Sequence, residues 1–164
     1  MFERLTTPQE AYNYKLGAAL KMEQTVLDML DKNCEEAHDE HVRQLFRHHQ
    51  DETRQQIANI EQAFRAFGWD PDTSPCPAIE GLEKEGRANA RKTDDALVDG
   101  VLLQGAAEVE HHEIGVYQNL IINARAMGRT DVVRLLEQNL EQEQHTLREV
   151  LQAEEQMASA TPLL

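Results

Sequence analysis

Four long segments of this 164-residue chain carry apolar residues at every third or fourth position. Side chains with that spacing lie along one face of an α-helix, so each segment predicts an amphipathic helix that packs against a core. Glu, Gln, Ala, Leu and Arg dominate the composition, whereas Val, Ile and Thr are scattered, and this is typical of helix-forming sequences. The pattern therefore predicts an all-α fold.

Start and stop signals divide the chain into helices. Residues 7–10 (TPQE) form a capping box with proline at the first helical position, and Gly68 and Gly128 are typical helix stops. Residues 69–77 (WDPDTSPCP) contain three prolines, so no helix crosses them. We expect a single domain over residues 1–164, with helices at about 8–36, 39–67, 78–90, 94–127 and 130–157.

The order of these connections predicts the topology. Two pairs of long helices are each joined by a short turn, and a long crossover with a short extra helix joins the pairs. This arrangement is a ferritin-like antiparallel four-helix bundle.

Polar residues interrupt each apolar stripe near its middle, where leucine is expected. They are Glu23 in the first long helix, His49, Glu52 and Gln56 in the second, Glu110 and Glu113 in the third, and Glu143 in the fourth. A single glutamate on such a stripe is usually a boundary residue, but here all four helices have one. Glu23 and Glu52 are 29 residues apart and Glu113 and Glu143 are 30 apart, so two similar hairpins would bring these carboxylates to one level.

Five buried carboxylates cannot be stable alone, because an unpaired buried charge costs several kcal/mol and like charges add to that cost. No lysine or arginine lies on the inner stripes beside them. Two divalent cations would offset most of this charge. Carboxylates with a single imidazole suit iron, or alternatively manganese, better than zinc or calcium. The sequence thus predicts a site for two metal ions.

Three segments, together with Glu23, resemble the YciE/YciF family of ferritin-like bacterial stress proteins. They are residues 49–56 (HQDETRQQ), 74–86 (SPCPAIEGLEKEG) and 108–117 (EVEHHEIGVY). The resemblance covers about residues 5–155 and implies a rubrerythrin-like bundle that is commonly a homodimer. It also implies a set of metal ligands, namely Glu23, Glu52, Glu110, Glu113 and Glu143, with His49 and Gln56 as further ligands or neighbours of ligands.

The chain departs from the wider ferritin-like pattern, which has Glu-x-x-His in the second and fourth helices. Gln55 and Thr146 stand three residues after Glu52 and Glu143, where histidine is expected. His49 can replace the first histidine, but the fourth helix has no inward replacement. Tyr117, four residues after Glu113, is either a core residue or a hydrogen-bond donor to a ligand.

Three functions fit these residues. The first is a dinuclear oxidoreductase, with metals cycling between +2 and +3 states during reaction with oxygen or peroxide in a stress response. The second is a helical interaction or stress protein with a structural metal site, and the third is iron buffering. The chain lacks the four-cysteine iron domain that rubrerythrins use for electron delivery, so redox cycling would need an external electron donor.

Charge and hydropathy narrow the location and partners. A net charge of −14 argues against nucleic acid and anionic membranes as partners. No stretch approaches the roughly 18 apolar residues of a membrane span, and no signal peptide is evident, so we expect a cytoplasmic protein. Ile121, Ile122 and Val132 are predicted to face outward, which supports the homodimer that the resemblance implies.

Overall fold

The computed structural model describes residues 4–160, which form five α-helices and contain no strand. The helices are α1 (Pro8–Glu36), α2 (Glu40–Ala66), α3 (Pro77–Ala90), α4 (Val98–Ala126) and α5 (Thr130–Ala160). The all-α prediction is confirmed.

The four long helices form a bundle of two antiparallel hairpins. Short turns at 37–39 and 127–129 join α1 to α2 and α4 to α5, and the crossover of residues 67–97 contains α3. Helix α2 also packs against α5, and α1 against α4, which closes the bundle, while α3 lies against α1 and α4. Within residues 4–160, no helix is both long and apolar enough to cross a membrane.

Side-chain oxygens accept backbone hydrogen bonds at the start of α1 and at the turn between α1 and α2. The Thr7 hydroxyl accepts a hydrogen bond from the Glu10 N–H at 3.2 Å, as the capping box predicts. Asp99, on α4, accepts hydrogen bonds from the backbone N–H groups of His38 and Asp39 at 2.9 and 3.0 Å. The turn between α1 and α2 is therefore tied to α4, a helix that begins some 60 residues later in the chain.

Helix α4 begins at Val98 rather than near residue 94, where the sequence analysis places it. The Thr93 hydroxyl donates to the Asn89 carbonyl at 2.8 Å, so this residue completes the end of α3 instead of capping α4. The Leu97 N–H bonds to the Asp94 carbonyl at 2.8 Å and closes a separate turn before the helix.

The proline-rich part of the crossover runs across α1 at Gly17. A Cβ atom at this position would lie 2.6 Å from Ser74 Oγ and 2.9 Å from the Asp72 carbonyl oxygen. Only glycine allows the two chain segments to approach this closely. This part of the crossover is therefore held against α1.

The apolar residues expected to face outward are mostly internal. Ile121 and Val132 are 3% and 0% exposed, so both belong to the core of this chain, whereas Ile122 is 60% exposed. The stripe on α4 is broader than the sequence spacing indicated, and it buries Ile121 beside Leu120. Two of the three residues cited for a dimer thus give it no support.

Candidate metal centre

One imidazole and three carboxylates meet in the middle of the bundle. His49 on α2, Glu110 and Glu113 on α4, and Glu143 on α5 each offer one donor atom, and these atoms all lie within 4.8 Å of one another. His49 is 2% exposed and the three glutamates are 0% exposed. Glu110 and Glu113 share a helix face because they are three residues apart. We refer to these four residues as the buried cluster.

The donor atoms of the buried cluster lack hydrogen-bond partners. His49 Nδ1 lies 3.2 Å from Glu110 Oε1 and His49 Nε2 lies 3.6 Å from Glu143 Oε2, but neither contact has hydrogen-bond geometry. Both oxygens of Glu110, Glu113 and Glu143 are also without a partner. Buried polar groups are normally satisfied, and most of the exceptions in residues 4–160 converge on this point. The unpartnered donor atoms of the buried cluster are close enough together to bind one metal ion.

Burial and like charge disfavour ionisation here. Burial, followed by repulsion from Glu143, raises the pKa of both Glu110 and Glu113 well above 4.5. The same two causes, in the same order, raise the pKa of Glu23. A cation held among these groups would reverse the effect, because an adjacent positive charge favours the carboxylate form.

Glu23, on α1, stands beside the cluster with its two oxygens in different environments. Oε1 accepts a hydrogen bond from the Tyr117 hydroxyl, whereas Oε2 is buried without a partner. Burial raises the pKa of Tyr117 well above 10.0, so this hydroxyl keeps its proton and donates it. The hydrogen bond from Tyr117 thus fixes Oε1 of Glu23, and Oε2 is available to bind a cation.

A chain of hydrogen bonds connects Glu23 to the surface of the bundle. Gln55 donates to Asn59 at 3.1 Å, Asn59 donates to Asn139 at 2.7 Å, and Asn139 donates to the Tyr117 oxygen at 3.1 Å. Every donor points toward Glu23. Since Tyr117 accepts from Asn139, its own proton is directed to the glutamate.

Asn59 and Asn139 are site residues that were not predicted from the sequence. Asn59 is 4% exposed and three residues after Gln56, and Asn139 is 0% exposed and four residues before Glu143. This spacing places both amides on the inner stripes, and it was a signal available in the sequence. The Gln56 side chain is buried with neither polar atom bonded, while its backbone carbonyl accepts from Asn139 at 3.2 Å.

Glu52 lies outside the buried cluster. Its side chain is 15% exposed, Oε2 accepts a hydrogen bond from the Thr146 hydroxyl at 3.0 Å, and Oε1 lies 3.5 Å from His48 Nε2. Thr146 occupies one of the two positions where the wider ferritin-like pattern has histidine. In this chain the residue at that position donates a hydrogen bond to Glu52. The charge of Glu52 still reaches Glu110 and contributes to raising its pKa.

The donor set fits a first-row divalent cation. Hard carboxylate oxygens with one imidazole suit iron and manganese, and the cluster contains no thiolate. His49, Glu110, Glu113 and Glu143 could hold one ion, and the free Oε2 of Glu23 adds a donor beside Glu143. The protein therefore has the residues for a metal centre, with Tyr117 as a hydrogen-bonding support.

Several solved structures share this fold over nearly the whole length of the chain. YcfI from Rhodopseudomonas palustris is 30% identical, with a TM-score of 0.88 over 99% of this chain and 100% of that one. The stress protein YciF from E. coli is 24% identical, with a TM-score of 0.89 over 96% and 100% of the two chains. A protein from Xanthomonas campestris is 21% identical, with a TM-score of 0.75 over 94% and 95%.

Among curated proteins, no sequence matches the chain significantly. The family described as a domain of unknown function (DUF892) matches residues 7–162, which is nearly the whole sequence. With the E. coli YciF fold among its structural neighbours, this match confirms the YciE/YciF resemblance. The chain belongs to the DUF892 family.

Proposed function

We propose that this protein is a ferritin-like metal-binding protein of a bacterial stress response, which binds two iron or manganese ions and reduces peroxide or oxygen. The observation that carries the proposal is the buried cluster, whose ligand-type atoms are sealed in the core without hydrogen-bond partners. The stress response is supported by the description of YciF as a stress protein.

The cost of burying these groups favours a resident cation. Leaving a buried acceptor unsatisfied costs about 1–3 kcal/mol, and more when the group is charged. His49, Glu110, Glu113 and Glu143 would hold one ion, and Glu23 with an inward-turned Glu52 would complete a second. Bound iron or manganese would supply electrons by changing between its +2 and +3 states.

The surrounding residues orient these ligands and exclude water. Tyr117 fixes one oxygen of Glu23, and Asn139 fixes Tyr117, so the ligand cannot rotate freely. Such supporting hydrogen bonds tune metal affinity and are costly to remove. The apolar core of the bundle, which includes Met22 and Leu103 at 0% exposure, keeps bulk water out.

A structural metal site is the second candidate. The same buried donors favour it, because the ion would offset the charge of the core whether or not electrons are transferred. The two functions differ in one measurable respect. A structural ion raises stability without turnover.

Metal content and peroxide consumption test the proposal together. Protein produced in medium supplemented with iron and manganese is compared with a Glu113→Gln/Glu143→Gln variant, which removes two charges with little change in shape. Glu108→Gln/Glu141→Gln is the matched control, because both residues are exposed on the same two helices. We expect about two ions per chain in the wild type and the control, and almost none in the variant.

The next measurement is peroxide or oxygen consumption with a chemical electron donor. Turnover that follows metal content supports the oxidoreductase, whereas metal with no turnover supports the structural site. A folded wild type that binds neither metal would refute both.

The proposal extends to a cytoplasmic homodimer supplied by an external electron donor, with no nucleic-acid or membrane partner. The acidic charge supports the exclusion of nucleic acid, and the family resemblance supports the dimer. Sedimentation analysis of the purified chain tests the dimer directly.

A further inference from the structure

The buried cluster is closed to solvent, so an ion needs a route to it. His49 and the three glutamates are 0–2% exposed. Of the ligands implied by the family resemblance, Glu52 is the one with a substantially exposed side chain, at 15%. Any route that uses a ligand as its carrier therefore passes through Glu52.

His48 and Glu52 form a pair at the surface of the bundle, one helical turn apart on α2. His48 is 62% exposed, and its Nε2 lies 3.5 Å from Glu52 Oε1. An imidazole nitrogen beside a carboxylate oxygen is a donor combination that first-row divalent ions accept. His48 also lines a groove of about 510 Å³ between α2 and α5, whose rim includes His41 and Glu149.

We propose that His48 and Glu52 form the entry site through which divalent metal ions pass from the groove between α2 and α5 to the buried cluster. This inference depends on the proposed function, since it assumes that the cluster binds metal. The net charge of −14 attracts cations to the protein in general, and the His48–Glu52 pair gives them a defined place to bind.

Glu52 can carry an ion inward because two polar contacts hold its carboxylate in the outer position. The Thr146 hydroxyl holds Oε2 at 3.0 Å, and His48 approaches Oε1. Glu52 follows His49 by three residues, so the two are about 60° apart around α2 and about 4.5 Å apart along it. Release from Thr146 lets the carboxylate turn toward His49 and Glu110, where its charge already acts.

A second groove, larger than the one at His48, is a poorer route. It lies between α1 and α4, encloses about 970 Å³ and is lined mostly by apolar side chains. None of the described residues that line it is acidic, and Lys15 adds a positive charge. His112 is its one imidazole, and its buried Nε2 has no hydrogen-bond partner. His112 therefore represents the rival route in an experiment.

The test measures how fast the metal-free, full-length protein takes up Mn²⁺ alone. Samples are quenched with EDTA at timed intervals and desalted, and the metal retained per chain is determined by elemental analysis. The variants are His48→Ala, Glu52→Gln, His112→Ala for the rival groove and His111→Ala as an exposed histidine control on α4. Circular dichroism confirms that each variant is folded.

For each variant, the rate constant of uptake is fitted to its own final metal content, because Glu52→Gln also removes a proposed ligand of the second ion. We expect this rate constant to fall about threefold in His48→Ala and about tenfold in Glu52→Gln, with no change in the other two variants. His48→Ala should reach the same final metal content as the wild type, because His48 is outside the cluster. Wild-type uptake rates in both His48→Ala and Glu52→Gln, or slow uptake in His112→Ala alone, would overturn the entry site and leave the metal centre intact. A wild type that retains no Mn²⁺ or iron would overturn the proposed function itself, and the entry site with it.

Discussion

Glu113→Gln should make the metal-free protein more stable and the metal-loaded protein relatively less stable. Glu113 is fully buried, neither of its oxygens has a partner, and Glu143, Glu23 and Glu110 add like charge. Burial and these charges raise its pKa, and each unit of such a shift corresponds to about 1.4 kcal/mol of unfavourable free energy in the ionised state. We expect the free energy of unfolding in EDTA at pH 7 to rise by about 1–3 kcal/mol in the variant.

Metal should reverse that order. An ion present at 1,000 times its Kd stabilises the wild type by about 4.1 kcal/mol, which exceeds the advantage of the variant in EDTA. The variant gains little because it has lost a ligand. Urea unfolding in EDTA and in excess Mn²⁺ measures both values, with Glu108→Gln as an exposed control on α4. If Glu113→Gln is clearly destabilising in EDTA, the carboxylate makes a favourable contact in the metal-free core and the reasoning fails.

Three further predictions concern pH, the hydrogen-bond chain and the crossover. Burial raises the pKa of Glu23, Glu110 and Glu113 well above 4.5 in the folded protein. The folded state therefore binds these protons more tightly than the unfolded state, and this stabilisation is fully present below pH 4.5. It is lost as the pH rises through the pKa values of the folded protein. Urea unfolding in EDTA should therefore show stability falling toward pH 8, and a stability that rises steadily over this range would contradict the assignment. Tyr117→Phe should cost about 1–3 kcal/mol and lower Mn²⁺ affinity about tenfold, as measured by unfolding and by metal titration. Tyr12→Phe is its control, because the Tyr12 hydroxyl donates at 3.3 Å to Leu120, away from the cluster, and should leave the affinity unchanged. Gly17→Ala should destabilise the protein by about 1–3 kcal/mol in thermal unfolding, because its Cβ atom meets Ser74 and the Asp72 backbone. Gly115→Ala is the control. Its Cβ atom meets nothing within 4 Å, and the substitution should stabilise the helix by about 0.5–1 kcal/mol.

The bundle could be predicted from the sequence because its helices are long and their caps are local. The capping box at residues 7–10 and the stops at Gly68 and Gly128, with φ of 75° and 70°, depend on neighbouring residues alone. The start of α4 could not be predicted in this way. Thr93 suits a helix start by residue type, and its bond to Asn89 depends on where α3 ends.

The candidate site was predicted in composition but not in geometry. Spacings of three and four residues place side chains on a stripe about 100° wide, which cannot separate its centre from its edge. His49 and Glu52 both fit the stripe of α2, yet His49 is at the centre and Glu52 at the edge. Glu52 bonds to Thr146, a residue on another helix, and no spacing within α2 contains that information.

The chain of hydrogen bonds from Asn59 to Glu23, through Asn139 and Tyr117, includes one residue from each of the four long helices. Apolar helix faces pack acceptably in several alignments, because one leucine can replace another in a contact. A chain of directed hydrogen bonds has a single alignment, since sliding any helix by one turn would leave several buried polar groups without partners. These four side chains therefore select one register of the bundle from its alternatives. Glu23, the last acceptor in the chain, is placed correctly only when all four helices are aligned.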